Sequence, residues 1–210
     1  MNWETELNCE QTVYVVDDDT SARESLCWLL ETEGIRSRAF DSAEALLDAW
    51  SDAWSGCITV DIRMPGKSGL QLQQELADRG NRLPVIVLTG HADVPVAIRA
   101  MKLGACDFLE KPYSDWEMLR SVRVALEEER LLGRDEAEKR EIRSRFGRLT
   151  EREREVMHLV VEGSTNKAIA AELGISEKTV EIHRARVMQK TGSESLSELV
   201  RCFLFADLSA

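Results

Sequence analysis

The chain has no apolar run near the roughly 18 residues that a membrane-spanning helix requires. Its first residues, MNWETELNCEQ, lack both the basic start and the apolar core of a secretory leader, so a cytosolic location is expected. The five cysteines (Cys9, Cys27, Cys57, Cys106 and Cys202) lie far apart and form no C-x-x-C pair. That spacing excludes the common zinc and disulfide frameworks and leaves reduced thiols, some of them small buried apolar residues. Only three histidines occur (His91, His158 and His183), too scattered to suggest a metal site. Basic charge is also short: 27 Lys+Arg stand against 38 Asp+Glu, a net −11. Taken whole, such a chain is a poor match for a polyanion.

The charge is unevenly placed. Residues 1–130 carry 13 basic and 24 acidic side chains, which accounts for all of the −11, whereas residues 131–210 carry 14 of each and are neutral. The second part is therefore free to approach a nucleic acid. At about 100–200 residues per domain, 210 residues allow one large domain or two small ones, and the asymmetry points to two with separate tasks.

The first part alternates strand and helix signals. TVYVVD (12–17), residues 35–40, CITVD (57–61), PVIVLT (84–89) and CDFLE (106–110) are short runs of strand character. Between them, apolar residues recur at helical spacing after a cap at Ser21, at Ala43–Leu46–Leu47–Trp50, at Leu70–Leu72–Leu76, and at Val94–Ile98–Met101 before Gly104. A fifth helix starts near Ser114. Five such pairs predict a doubly wound, five-stranded parallel sheet of the flavodoxin-like kind, whose ligands sit at the carboxyl ends of the strands. From Asp115 to about Phe146 the pattern stays helical and densely charged. It reads either as a solvated linker rich in i,i+4 ion pairs or as a short dimeric seam of Leu119, Val122, Leu126 and Leu131, with Gly133 a weak point. From Leu149 onward only helical signals occur, four segments with caps at Thr150, Ser176 and Ser195 and a turn at Gly174. The expected division is a domain over 1–125, a helical linker over 126–146 and an all-α four-helix domain over 147–210.

Acidic residues end the strands of the first domain: Asp17, Asp18 and Asp19 after the first, Asp61 after the third. Thr89 ends the fourth and Lys111 follows the fifth. In a parallel sheet these ends converge. Clustered carboxylates repel unless a cation neutralises them, and oxygen-only ligands suit Mg²⁺. A hydroxyl and an ammonium nearby can hold a phosphoryl group, so Asp61 reads as the nucleophile toward a phosphoryl donor. The segments VVDDD, ITVDIRMPGKSG, VIVLTGHADVP and DFLEKP resemble the receiver domain of two-component response regulators in order and spacing. That resemblance implies that Asp61 is the phospho-acceptor and that Mg²⁺ is held by Asp18, Asp61 and the backbone carbonyl of Arg63, with Asp17 acting through a bound water. It further implies that Thr89 and Lys111 bind the phosphoryl oxygens and that Phe108, which by itself could equally be core, is the rotating aromatic of a switch. Asp19 is expected to be merely solvated. Lys111–Pro112 is the place where a cis bond is expected.

The stretch LTEREREV…NKAIAAELGIS…TVEIHRARVM resembles the DNA-binding domain of the FixJ/NarL (LuxR-type helix-turn-helix) family, most closely its FixJ subgroup, which Glu181, His183, Arg184 and TGHADVP fit. The helix at Asn166, the turn at Gly174–Ile175 and the Ser176-capped helix form a helix-turn-helix. On the second helix Val180 and Val187 should face the core, while Lys178, Glu181, Ile182, Ala185 and Gln189 share another face. The resemblance implies that this face enters the major groove of double-stranded DNA. Lys167, Lys178, Thr179, Arg184, Arg186 and Lys190 are candidate phosphate contacts, each with a solvated side chain as the alternative. His183 is read as packing or touching a phosphate, and Glu181 as accepting from cytosine N4 or as repelling wrong placements.

Together the resemblances imply a cytoplasmic response regulator that is not a classical enzyme, although its receiver assists its own Mg²⁺-dependent phosphorylation and dephosphorylation. The implied partners are a sensor histidine kinase, double-stranded DNA, RNA polymerase and, on phosphorylation, a second copy docking through Ile98 and Lys102; activation is the expected output. A phosphate sink needs no DNA reader, and a ligand-sensing LuxR-type regulator needs an apolar pocket instead of an acidic site.

Overall fold

The computed structural model describes residues 11–90 and 94–208. Cys9 with the rest of the first ten residues, and His91 with the rest of the segment 91–93, lie outside the described residues. The chain divides into two compact units, one through Leu132 and one from Gly133 onward. Among the described residues no helix is long and apolar enough to cross a membrane.

The first unit runs β1 (Thr12–Val16), α1 (Thr20–Thr32), β2 (Arg36–Phe40), α2 (Ala43–Ala49), β3 (Gly56–Asp61), α3 (Gly69–Asp78), β4 (Val85–Thr89), α4 (Val94–Lys102), β5 (Ala105–Glu110) and the start of α5 (Asp115–Gly147). The sheet has the order β2-β1-β3-β4-β5, and every pairing is parallel. The central strands are apolar on both sides because both faces are covered, which is why they read as continuous runs. Period-two alternation sorts them: Tyr14, Val16, Ile58, Val60, Val85 and Val87 join one core with α2, α3 and Ala100 of α4. Val13, Val15, Cys57, Ile86 and Leu88 join another with α1 and α5.

Local chemistry fixes the ends. Helix α1 is capped by Asp19, whose carboxylate accepts the N–H groups of Ser21 and Ala22. The sequence expectation of a Ser21 cap and a merely solvated Asp19 is thus corrected: a carboxylate at the N-cap satisfies two otherwise orphaned donors. Gly69, the first residue of α3, lies so close to β3 that a Cβ there would be 2.3 Å from the carbonyl oxygen of Asp61. Only glycine lets α3 start against the backbone of that aspartate. Lys111–Pro112 is cis. The seam suggested for the linker is not available as written, because Val122 and Leu126 are buried in the first unit's core and Leu119 packs against it. Of that set only Leu131 is exposed.

The second unit contains the end of α5, then α6 (Glu151–Val161), α7 (Asn166–Leu173), α8 (Glu177–Thr191) and α9 (Leu196–Phe205). Its core joins Ile142 and Phe146 of α5 to Val156, Met157, Ile169, Val180, Val187, Leu199 and Phe203. Thr150 and Glu153 form a reciprocal capping box, and Gly174 ends α7 with φ +65°, the left-handed conformation glycine adopts without strain. Glu153 is 2% exposed and accepts a hydrogen bond from Lys190 of α8 at 2.6 Å. That bond, with the amide of Thr150, holds the Glu153 carboxyl down at about 2. A carboxyl whose folded value lies below its ordinary value of about 4.5 stabilises the fold above that value and loses its contribution as pH falls toward 2. Glu153→Gln should therefore lower unfolding free energy at neutral pH by about 2 kcal/mol and flatten the loss of stability on acidification below about pH 4.5. Denaturant unfolding of the two proteins at matched pH values checks this; parallel acid profiles would show that the Lys190 pair contributes nothing.

Candidate functional site

Five side chains meet at the carboxyl edge of the sheet. Asp17 and Asp18 follow β1, Asp61 ends β3, Thr89 ends β4 and Lys111 follows β5. Asp17, Asp61 and Thr89 are buried, while Asp18 is exposed. Carboxylate oxygens of Asp17, Asp18 and Asp61 lie within 4.8 Å of one another. Lys111 Nζ stands between two of them, 2.7 Å from Asp17 Oδ2 and 3.3 Å from Asp61 Oδ2. The backbone N–H of Lys111 donates to the Thr89 carbonyl at 2.7 Å, so the lysine is tied to β4 as well as β5. The loop after β1 is held by Asp19 N–H, which donates to Asp17 Oδ1 at 3.0 Å, and by Arg23 Nη1, which donates to the Asp17 carbonyl at 2.6 Å.

The electrostatics are those of an under-neutralised cluster. Burial pushes the Asp61 carboxyl up, and the Asp17 carboxylate pushes the same way; Lys111 and the backbone N–H of Arg63 oppose both. Burial disfavours the charged form of Lys111, yet Asp17 and Asp61 outweigh it and hold the ammonium above its ordinary value. Asp61 Oδ1 is buried and makes no hydrogen bond. An oxygen in that position, with two more carboxylates at hand, has the donor set of a hard divalent cation such as Mg²⁺. Phe108 is half-buried and packs against the core shared with α2, α3 and α4. Ile98 and Met101 of α4 are each 50% exposed, Val94 is 69% exposed, and Lys102 is exposed beside them.

In the second unit α7, the turn at Gly174 and α8 present a second candidate surface. Val180 and Val187 are buried, while Lys178, Glu181, Ile182, Ala185, Arg186 and Gln189 are exposed together on α8; Lys167 is exposed on α7. Of the remaining residues named from sequence, Lys190, Arg184 and Thr179 are engaged inside the unit. Lys190 is paired with Glu153 and donates to the Arg148 carbonyl at 3.3 Å. Arg184 Nη1 donates to Asn166 Oδ1 at 3.0 Å, and Thr179 shares its hydroxyl with Ser176 at 2.8 Å. His183 is half-buried, with Nδ1 enclosed and unpartnered.

Sequence reasoning missed several groups that hold these surfaces in place. Glu153 was legible as a capping-box residue but not as the partner of a lysine 37 positions away. Arg23 left no signal beyond its place in the first helix. Asp107 on β5 and Ser121 on α5 were also passed over, although a carboxylate in the interior of a mainly apolar strand, away from its carboxyl end, is itself a signal.

Two family models match the chain: the response regulator receiver domain over residues 13–123 and the luxR family of bacterial regulatory proteins over residues 148–203. The transcriptional regulatory protein FixJ of Azorhizobium caulinodans is 49% identical over 197 residues, covering 94% of this chain and 93% of that protein. Among solved structures, the response regulator StyR is 38% identical with a TM-score of 0.85, covering 93% of this chain and 99% of that one. Full-length FixJ from B. japonicum is 40% identical with a TM-score of 0.59, covering 97% and 100% respectively. The chain belongs to the FixJ-like response regulators, with a receiver domain followed by a LuxR-type DNA-binding domain, and its work is two-component transcription regulation.

Proposed function

We propose that Asp61 is the phospho-acceptor of this regulator. The observation that carries the reading is the buried, unpartnered Oδ1 of Asp61 in a cluster of three carboxylates that one lysine leaves under-neutralised. Asp18, Asp61 and the Arg63 carbonyl would hold Mg²⁺, with Asp17 acting through a bound water. The bound ion supplies positive charge against which a carboxylate and a phosphoryl group can approach. A carboxylate oxygen of Asp61 forms the new O–P bond as the P–N bond of a kinase phosphohistidine breaks, and the electron pair returns to the imidazole. Lys111 and the Thr89 hydroxyl then hold the phosphoryl oxygens on Asp61. With Mg²⁺ and a small phosphodonor the chain should take up one phosphoryl group, and Asp61→Asn should take up none. Mass spectrometry of the intact protein checks this; equal uptake by the variant would mean that the acceptor is another residue.

The switch reading follows from the exposed face of α4. Phosphorylation can shift an equilibrium only through differential affinity for two states. We assign Phe108 as the switch aromatic, with Ile98 and Lys102 on the surface that then pairs with a second copy. The apolar exposure of Val94, Ile98 and Met101 supports this, because such a patch on one helix is a natural interface. Sedimentation should show a mainly monomeric chain that dimerises with beryllofluoride and Mg²⁺, and Ile98→Asp should hold it monomeric. The same mass in both states would sink the assignment.

For DNA, we read the functional boundaries as a receiver over 1–125, a linker over 126–146 and a reader over 147–210. Ile182 and Ala185 are apolar and exposed where a thymine methyl could be met, whereas Lys167, Lys178 and Arg186 are exposed cations suited to phosphates. Arg184, Thr179 and Lys190 act by holding α8, His183 packs or touches a phosphate, and Glu181 lies at the groove. Activation through RNA polymerase is the output this reading favours. A pure phosphate sink would leave the second unit without a task. Lys178→Ala should weaken binding to all sequences alike and lower the salt slope by about one unit, while Ile182→Ala should change sequence preference. Salt titrations on a selected site and on random DNA check both, and unchanged slopes with unchanged preference would turn α8 away from the DNA.

A further inference from the structure

Phe108 and α5 lie on opposite faces of the sheet. Phe108 packs with α2, α3 and α4, whereas Met118, Val122, Ala125 and Leu126 of α5 pack with α1 on the other side. Helix α5 is also the element that runs on to Gly147 and gives Ile142 and Phe146 to the second core. A change at Phe108 must cross the sheet before α5 can respond.

Strand β5 contains the crossing. Strict alternation would put Asp107 on the same face as Ala105, toward α4. The β4–β5 register breaks instead: Val85 pairs with Ala105 but Ile86 pairs with Asp107, which leaves Cys106 as an extra residue. A bulge of this kind re-aims the side chains that follow it. Asp107 is turned toward the face of Ile86, where α5 packs. There Asp107 Oδ2 accepts a hydrogen bond from Ser121 Oγ at 2.5 Å, while Oδ1 accepts the backbone N–H of Phe108 at 2.8 Å. Ser121 is 3% exposed, so little water competes for its hydroxyl. One carboxylate thus joins the backbone of Phe108 to the middle of α5's first half.

We infer that Asp107 and Ser121 are a positioning pair that passes the state of the acceptor edge across the sheet to α5, and through it to DNA binding. The inference rests on the phosphorylation reading above. Neither residue touches the phosphoryl site. If the backbone at Phe108 moves, the carboxylate that caps its N–H moves with it, and Ser121 must follow or lose a charge-assisted bond in a buried place. A bond that served only to satisfy a buried hydroxyl would affect stability but not the coupling between phosphorylation and DNA.

The test uses the full chain and a DNA site selected from a random pool. Phosphoryl uptake with Mg²⁺ and a small phosphodonor is measured beside the ratio of DNA affinities with and without phosphorylation. Ser121→Ala should take up the phosphoryl group to the same stoichiometry as the wild type. Its affinity ratio should fall toward one by about fivefold or more, the scale of an ordinary coupling between sites. Ser121→Thr, which keeps the hydroxyl, should restore the ratio. Should Ser121→Ala fail to fold, Asp107→Asn, which keeps shape but removes the charge, is expected to lower the ratio in the same way. A wild-type ratio in a folded Ser121→Ala or Asp107→Asn chain overturns the pair while leaving Asp61 as acceptor. A wild-type chain that takes up no phosphoryl group, or gains no affinity from it, overturns the underlying reading and the pair with it.

Discussion

Lys111 places one ammonium between two buried carboxylates, 2.7 Å from Asp17 and 3.3 Å from Asp61, and the carboxyl edge of the sheet is built around that placement. Without it, three carboxylates whose oxygens approach within 4.8 Å would repel one another in a partly buried site, where charges interact more strongly than in water. With it, two negative charges still remain formally uncompensated. One monovalent side chain is enough to let the edge fold and too little to neutralise it, which is the condition under which a divalent cation binds well. On the proposed reading a phosphoryl group would bring in further negative charge, and cation and lysine would then act together. The lysine's own position depends on the sheet: its N–H is bonded to the carbonyl of Thr89, and β5 holds it level with the end of β4.

Much of this was legible in the sequence, because a parallel sheet has few degrees of freedom. Once five short apolar runs alternate with helices, their carboxyl ends must converge, and the residues at those ends can be read off: Asp17, Asp61, Thr89 and Lys111. Helix caps were legible for the same reason, since Ser, Thr and Asp at a boundary have a short-range task. Where two candidates stood close together the reading failed. Asp19 and Ser21 could both cap α1, and only the path of the loop after β1 decides for Asp19. Long-range pairing was not legible at all. Nothing local in Lys190 says that it meets Glu153, and nothing in the charged helix says that Val122 and Leu126 face the first unit's core rather than a dimeric seam.

The second unit shows why a list of basic residues overstates a nucleic-acid surface. Lys190 and Arg184 each have a protein partner, and those partners are what fix α8 relative to α6 and α7. A cation used in this way fixes the helix it sits on, and on the DNA-binding reading it would serve recognition through that rigidity. The neutral balance of residues 131–210 is then less surprising. Several of its acids are engaged in caps and pairs, among them Glu153 and Glu155, and among the described residues Lys167, Lys178 and Arg186, exposed on α7 and α8, form no ion pair.

The sheet that brings the acidic side chains together also separates the layers packed on its two faces. Both faces must be covered for parallel strands to be buried, so α4 and Phe108 fall on one side and α5 on the other. Packed apolar layers on the two faces share only the strands between them. Side chains of central strands point strictly up or down, and a regular central strand has no break in its alternation by which to re-aim a carboxylate toward the far face. An edge strand can, because one row of its backbone groups is unpaired and a bulge there disrupts a single ladder. β5 is that edge, its irregularity falls at Cys106, and the residue it re-aims is Asp107. On the proposed coupling, the bulge therefore sits at the place in this architecture where a signal would change faces at the smallest structural cost.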